Sequence, residues 1–270
     1  MDNYIALSYV DIALASVFLL LNGALSLWLR LGVARSLAFA AARMVVQLLL
    51  VGLLLKSLFA IQSPWLTLLV ALFMAGFAAR EIWARQNRRL RGWKGLAIGG
   101  GAMGASVGVV VLMALVVLVQ PAPWWSPRYA LPLLGMIMGN AMTGISLALD
   151  TLHTALTREQ RAIEAQLLLG ANKWEAMRPF LRQAMRAGFM PSINGMAAIG
   201  VVSLPGMMTG QILSGVDPNE AVKYQLVVMF LIAGATGLSV ILATLGSARA
   251  LSDERHRLRL DRLGKAKQGG

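Results

Sequence analysis

The sequence predicts an all-α integral membrane protein of about seven transmembrane helices, with its N-terminus outside the membrane and its C-terminus inside. Three observations carry this expectation. Hydrophobic residues make up 57% of the 270 and charged residues only 14%, whereas a soluble domain is nearer a quarter charged. Seven apolar runs each come close to the roughly 17–25 residues a helix needs to cross hydrocarbon, and none alternates with a barrel strand's period of two. Lys and Arg are divided unevenly between the segments that join those runs.

The first run, residues 9–29, is closed by Arg30. The second, 37–60, carries Arg43, Gln47 and Lys56, and the third, 64–79, is short unless Ile82 and Trp83 extend it. The fourth, 95–119, holds no charge. Its glycines Gly99, Gly100, Gly101, Gly104 and Gly108 include the small-xxx-small spacing that lets helices approach closely. The fifth, 129–149, follows a turn-rich stretch with Pro121, Pro123 and Pro127. The sixth is 189–213 and the seventh 221–245, while Trp65, Trp83, Trp93, Trp124 and Trp125 stand near run ends, as interfacial aromatics do.

Charge sets the orientation. With the N-terminus outside, 21 of the 25 Lys and Arg residues fall on inside segments: Arg30 and Arg35, six from Arg80 to Lys94, six from Arg158 to Arg186, and seven from Arg249 to Lys267. Only Lys56, Arg128 and Lys223 fall outside, and Arg43 lies within a run. Such a split requires an odd number of crossings. Topology and attraction to anionic lipid then account for the net charge of +13, and nucleic acid is not needed as a partner. The start, Met1-Asp2-Asn3-Tyr4, lacks the basic region of a secretory signal, so the first span is expected to remain uncleaved. The absence of cysteine excludes disulfides, thiolate metal sites and Cys nucleophiles. Residues 1–270 read as a single transmembrane domain, with a polar inside segment 150–188 and a basic inside tail 249–270.

The 150–188 segment has helical order. Thr157-Arg158-Glu159-Gln160 reads as a capping box, opening a short helix with Ile163 and Leu167 on one face. Gly170-Ala171-Asn172 breaks it, and a second helix follows. That helix carries Trp174, Met177, Phe180 or Leu181, and Met185 on its apolar side, with Arg178, Arg182 and Arg186 on the other flank. Pro179 implies a kink there. Two readings stand: an amphipathic hairpin resting on the membrane surface, or a docking element for a cytoplasmic partner. Glu164-Ala165, followed by Gly170 and a basic amphipathic helix, resembles the coupling loop of ABC-transporter permeases. In that family the short helix fits a cleft on the ATPase subunit. The family's Leu-Pro is here Arg182-Gln183, with Pro191 coming later. The resemblance implies that Glu164, Ala165, Gly170, Ala171, Trp174 and Arg178 couple to an ATPase.

Within the spans, residues 135–142 (GMIMGNAM), 202–210 (VSLPGMMTG), 215–218 (GVDP) and 223–225 (KYQ) resemble the Fet-type iron-export permeases. So does Arg43-Met44-Val45-Val46-Gln47 with Gly52 and Lys56, and the resemblance covers roughly residues 35–245. It implies a single permease domain in an ABC exporter of the cytoplasmic (inner) membrane. It further implies a homodimer with a separate ATPase and metal efflux as its task. Plant relatives are linked to aluminium tolerance and to nucleotide-sugar transport, so the substrate does not follow from the family.

No Gly-x-x-x-x-Gly-Lys-Ser/Thr motif occurs, so ATP would bind on the partner and this chain is expected to hold no cofactor and to be no enzyme itself. Polar residues within spans are the default pathway candidates. Arg43 either snorkels to the inner surface or lines a path. Gln47, one turn deeper, and Asn140, mid-span, should face protein or water, because an unpaired amide in lipid costs a few kcal/mol. Pro205-Gly206, with Ser203, is expected mid-way along a sixth helix, as a plain kink or as a source of free carbonyls for an ion. Met136, Met207 and Met208, like Met138, Met142 and Met196, read as packing or as soft thioether ligands. No metal ligand set is assigned. A self-contained secondary transporter or channel would need an inverted repeat and intramembrane carboxylates, whereas Asp11 and Asp150 sit at span ends. A membrane scaffold recruiting a partner through 150–188 is the third reading.

Overall fold

The computed structural model describes residues 8–265; Met1 to Tyr4 and Lys267 lie outside the described residues. Among those residues the elements are helices, with isolated bridges and no strand. Two compact units form. The first is the hairpin of α1 (Tyr9–Trp28) and α2 (Ala34–Ile61), which pack on each other. Ser8 and Asp11 open α1 as a reciprocal capping box, their side chains each bonded to the other's backbone N–H.

The second unit starts at Gln62. It contains α3 (Pro64–Arg85), α4 (Trp93–Met113) continuing as a π-helical stretch Ala114–Val119, and α5 (Pro127–Arg158). Then come α6 (Gln160–Leu168), α7 (Lys173–Ala198), α8 (Gly206–Leu213) and α9 (Pro218–Ala250). Three of these helices open on a proline, which is pre-set for the first turn and has no N–H to leave unbonded. α5 is the hub, packed against α3, α4, α7 and α9. Its Ile137, Ala141 and Ile145 are fully buried among residues such as Ile82, Met103 and Ala235. Where α5, α7 and α9 cross, a Cβ on Gly144 would lie 2.8 Å from the Gly188 carbonyl oxygen and from Thr236 Cγ2. Of the fourth run's glycines, Gly99 and Gly100 sit against Ile82 and Ala79 of α3, while Gly101, Gly104 and Gly108 face open space.

Six helices are long and apolar enough to cross a membrane: α1, α2, α3, α4 with its π stretch, α5 and α9. The protein is therefore a multi-pass membrane protein. The sixth apolar run departs from expectation, because it is not one helix. α7 runs without interruption through Pro179 and Pro191 into that run and stops at Ala198. There Val202 and Ser203 fold their N–H groups back onto the Ala198 carbonyl, and Gly200 takes a φ of +87°. Pro205 is then the N-cap of α8 rather than a mid-helix residue. The break is made by the turn itself: the bonds back onto the Ala198 carbonyl and the left-handed Gly200 close α7, and the extended backbone at Pro205 opens α8 as a new helix.

Two further expectations are corrected. Thr157 caps nothing; its hydroxyl donates to the His153 carbonyl at 2.7 Å, because α5 runs on unbroken to Arg158. The capping box lies instead where a simple break was expected. The Asn172 side chain accepts from the N–H groups of Trp174 and Glu175 at 2.9 and 3.0 Å, and Glu175 accepts from the Asn172 N–H at 2.9 Å. The basic tail is also a folded segment, described below.

Candidate functional site

The two ends of the second unit differ in chemistry. At the basic end, α5, α6, α7, α9, the α3–α4 loop and the tail enclose an apolar cluster of Leu90, Leu152, Leu156, Ile163, Met177 and their neighbours. Ile163 and Leu167 of α6, and Met177 and Leu181 of α7, turn inward as their spacing anticipates. Arg178, Arg182 and Arg186 stay exposed. His153 is fully buried, with its ring nitrogens 2.8 Å from the Arg88 carbonyl and 2.7 Å from Ser247 Oγ, so it ties α5 to the α3–α4 loop and to α9. Asp150 accepts from the Asn87 N–H of the same loop at 2.6 Å.

The elbow between α6 and α7 is the prominent feature of this end. Gly170 there takes a φ of +95°, a conformation in which any side chain is strained. Glu164 and Ala165 are exposed on α6, Ala171 is half-buried beside the turn, and Glu164 accepts from the Gln160 amide at 2.8 Å. Trp174 points the other way: it packs on the apolar cluster, and the Arg249 guanidinium lies 5.6 Å from its ring centroid. Leu168 and Leu169, which sequence reading passed over, stand 89% and 88% exposed at the tip. Their signal was available, since two leucines directly before a turn glycine fall off the buried face set by Ile163 and Leu167.

At the opposite end a cavity of about 430 Å³ opens between the start of α5, α8 and the start of α9. That volume is on the scale of small-molecule sites. Arg128, Tyr129, Tyr224, Gln211 and Glu220 supply its polar wall, and Met136 and Met207 its sulfur. The Oε1 atom of Gln211 is buried with no hydrogen-bond partner among the described residues, and Glu220 is paired with Lys223 Nζ at 2.7 Å.

The expected pathway residues are thus only partly brought together. Met136 and Met207 share this cavity. Asn140 lies one turn along α5 and donates from Nδ2 to the Met136 carbonyl at 2.9 Å, so its amide is bonded within its own helix. Ser203 lies on the linker before α8, Pro205 caps that helix, and Met208 is half-buried on it outside the cavity wall. Arg43 and Gln47 belong to α2 in the other unit, where Arg43 is half-buried and Gln47 exposed. Gln211 was missed because a single glutamine near a span end carries no sequence signal. Among the described residues no group of three or more His, Cys, Asp or Glu side chains could hold a metal ion.

Comparison with known proteins places this architecture. Residues 9–251 match the profile of the Uncharacterised protein family (UPF0014). The UPF0014 membrane protein slr1647 of Synechocystis is 41% identical over 230 residues, 83% of this chain and 87% of that one. The Probable iron export permease protein FetB of Escherichia coli is 33% identical over 236 residues, covering 87% and 89% of the two chains. The UPF0014 membrane protein YjkA of Bacillus subtilis is 30% identical over 237 residues, covering 87% and 92%. No solved structure matches.

Proposed function

The chain belongs to the UPF0014 family, and from that premise we propose that it is the membrane-spanning permease subunit of an ABC exporter that moves metal ions out of the cytoplasm. The observation that carries the reading is the α6–α7 elbow, with Leu168 and Leu169 bare on a polar, basic end of the bundle. Such a tip is costly in water unless a partner covers it. A separate ATPase subunit is the partner that fits, because this chain has no phosphate-binding loop of its own. The name of the Escherichia coli relative supports the direction and the substrate class.

In this reading the N-terminus is outside and the basic end is cytoplasmic, in the inner membrane. The broken run of α7, linker and α8 makes the seventh crossing, which keeps the odd number the charge split requires. Backbone that leaves the helix at membrane depth is tolerated where protein or a water-filled cavity covers it, which places the 199–205 linker against the path rather than against lipid. The cavity holding Met136, Met207 and Gln211 is then the outer end of the path. Two copies of the chain work with two ATPase subunits.

The test is reconstitution of the chain with the ATPase subunit in vesicles. ATP hydrolysis and transport are measured across a panel of divalent and trivalent metals, with nucleotide sugars as the competing class. Stimulation by metals supports the reading, and stimulation by nucleotide sugars alone would move the substrate class. Met136→Leu and Met207→Leu keep the side-chain bulk and remove the sulfur. They should leave transport unchanged if the sulfurs serve packing, whereas Gln211→Leu should lower it.

A further inference from the structure

The seven basic residues from Arg249 onward were expected to form a tail attracted to anionic lipid. The structure gives residues 251–264 a different task. Just past α9 the chain reverses: the Arg259 N–H donates to the Leu251 carbonyl at 2.8 Å, and Asp253 accepts from both the backbone and the guanidinium of Arg257 at 2.9 and 2.8 Å. Arg262 reaches back from Nη1 to the Ala250 carbonyl at 2.6 Å. This folded segment then makes two separate attachments.

One attachment is to the α3–α4 loop. The Arg91 N–H donates to the Arg262 carbonyl at 2.8 Å, and the Gly264 N–H donates to the Arg89 carbonyl at 2.7 Å. The two bonds bracket an antiparallel pair of Leu90 and Leu263, only 3% and 5% exposed. The other attachment is to the elbow. The Lys173 backbone N–H, in the first turn of α7, donates to His256 Nδ1 at 3.2 Å, and Lys173 Nζ donates to the Asp253 carbonyl at 3.1 Å. Leu258 and Leu260 add apolar contact with the cluster beneath α6 and α7.

We propose that residues 251–264 form a clasp that carries movement of the α6–α7 elbow to the loop joining α3 and α4. A segment held only by headgroup charge would need no buried leucine and no paired backbone; this one has both, and it holds two elements that do not follow each other in the chain. The elbow leads into the 26-residue α7, which packs on α5 and α9, and the α3–α4 loop joins two long apolar helices, so a displacement of one pulls on the other through the clasp. The proposal rests on the reading of the chain as an ATP-driven permease.

The test uses the cysteine-free chain in membranes with its ATPase subunit. L90C with L263C places cysteines at an opposed pair without mutual hydrogen bonds, whose Cα atoms lie about 4.5 Å apart in such pairing. That separation suits a disulfide. The bond is expected to form on oxidation with transport retained, because it locks the clasp shut. Leu263→Asp, and a chain ending at Asp253, should insert and still bind the ATPase subunit. Transport should fall by about tenfold, within the usual range for coupling between two sites, while ATP hydrolysis continues. Absence of the disulfide, or normal transport by the shortened chain, overturns the clasp. If the unaltered chain shows no ATP-dependent transport, the permease reading falls and the transmission with it. A missing disulfide in a chain that does transport removes the clasp alone.

Discussion

Gly144 has room for a hydrogen and nothing larger, since the nearest atom to any added Cβ is a backbone oxygen on α7 that no rotamer change can move. Gly144→Val is therefore expected to lower stability by about 1–3 kcal/mol, the cost of overpacking, read as a lower unfolding temperature in detergent. Gly101 lies in a helix with nothing near its missing side chain, and Gly101→Ala should raise stability by about 0.5–1 kcal/mol through helix propensity alone. The glycine pattern in the sequence could not separate these cases. Spacing shows which residues share a helix face, as with Gly100 against α3, but not which faces meet a neighbour. For the same reason spacing could not show that the Asn140 amide donates to the carbonyl one turn back, nor that Gln211 lines a cavity.

Helices with a strong apolar period were legible to within a few residues, because crossing hydrocarbon leaves the backbone no alternative to helix. α1 closes one residue short of its expected end, and α4 with its π stretch stops at Val119 as expected. What eluded the sequence was continuity. Polarity changes at Asp150 and again near Gly188, yet α5 and α7 run through both changes, since a helix leaving the membrane keeps its own hydrogen bonds. The inward faces of α6 and α7 were legible, and so, from the same spacing, was the exposed tip. That tip is the element to test. Leu168→Asp with Leu169→Asp alters no buried contact, so the folded chain should survive. Capture of the ATPase subunit should fall by about tenfold or more, since a few residues carry most of an interface's energy. Normal capture would return the elbow to a surface hairpin.

For the whole molecule, the charge split is the strongest statement the sequence makes, and it is directly testable because the chain has no cysteine of its own. Single cysteines in place of Ala165 and Arg255, both exposed at the basic end, should resist an impermeant thiol reagent applied from outside. Cysteines in place of Ala122 and Asn219, exposed at the other end, should react. Ready labelling at 165 overturns the orientation. The folded tail lay beyond the reach of composition, because its pairing joins residues about Leu90 to residues about Leu263, far apart in the chain. The uninterrupted run of α5 has a mechanical consequence. Its 32 residues make a rod about 48 Å long, against roughly 30 Å of hydrocarbon. The surplus stands outside the bilayer as a lever arm, with the crossing at Gly144 as a natural fulcrum. A push of about 4 Å at the Arg158 end, about 21 Å from that fulcrum, tilts the rod by about 11°, enough to widen one face of a helix bundle while narrowing the other.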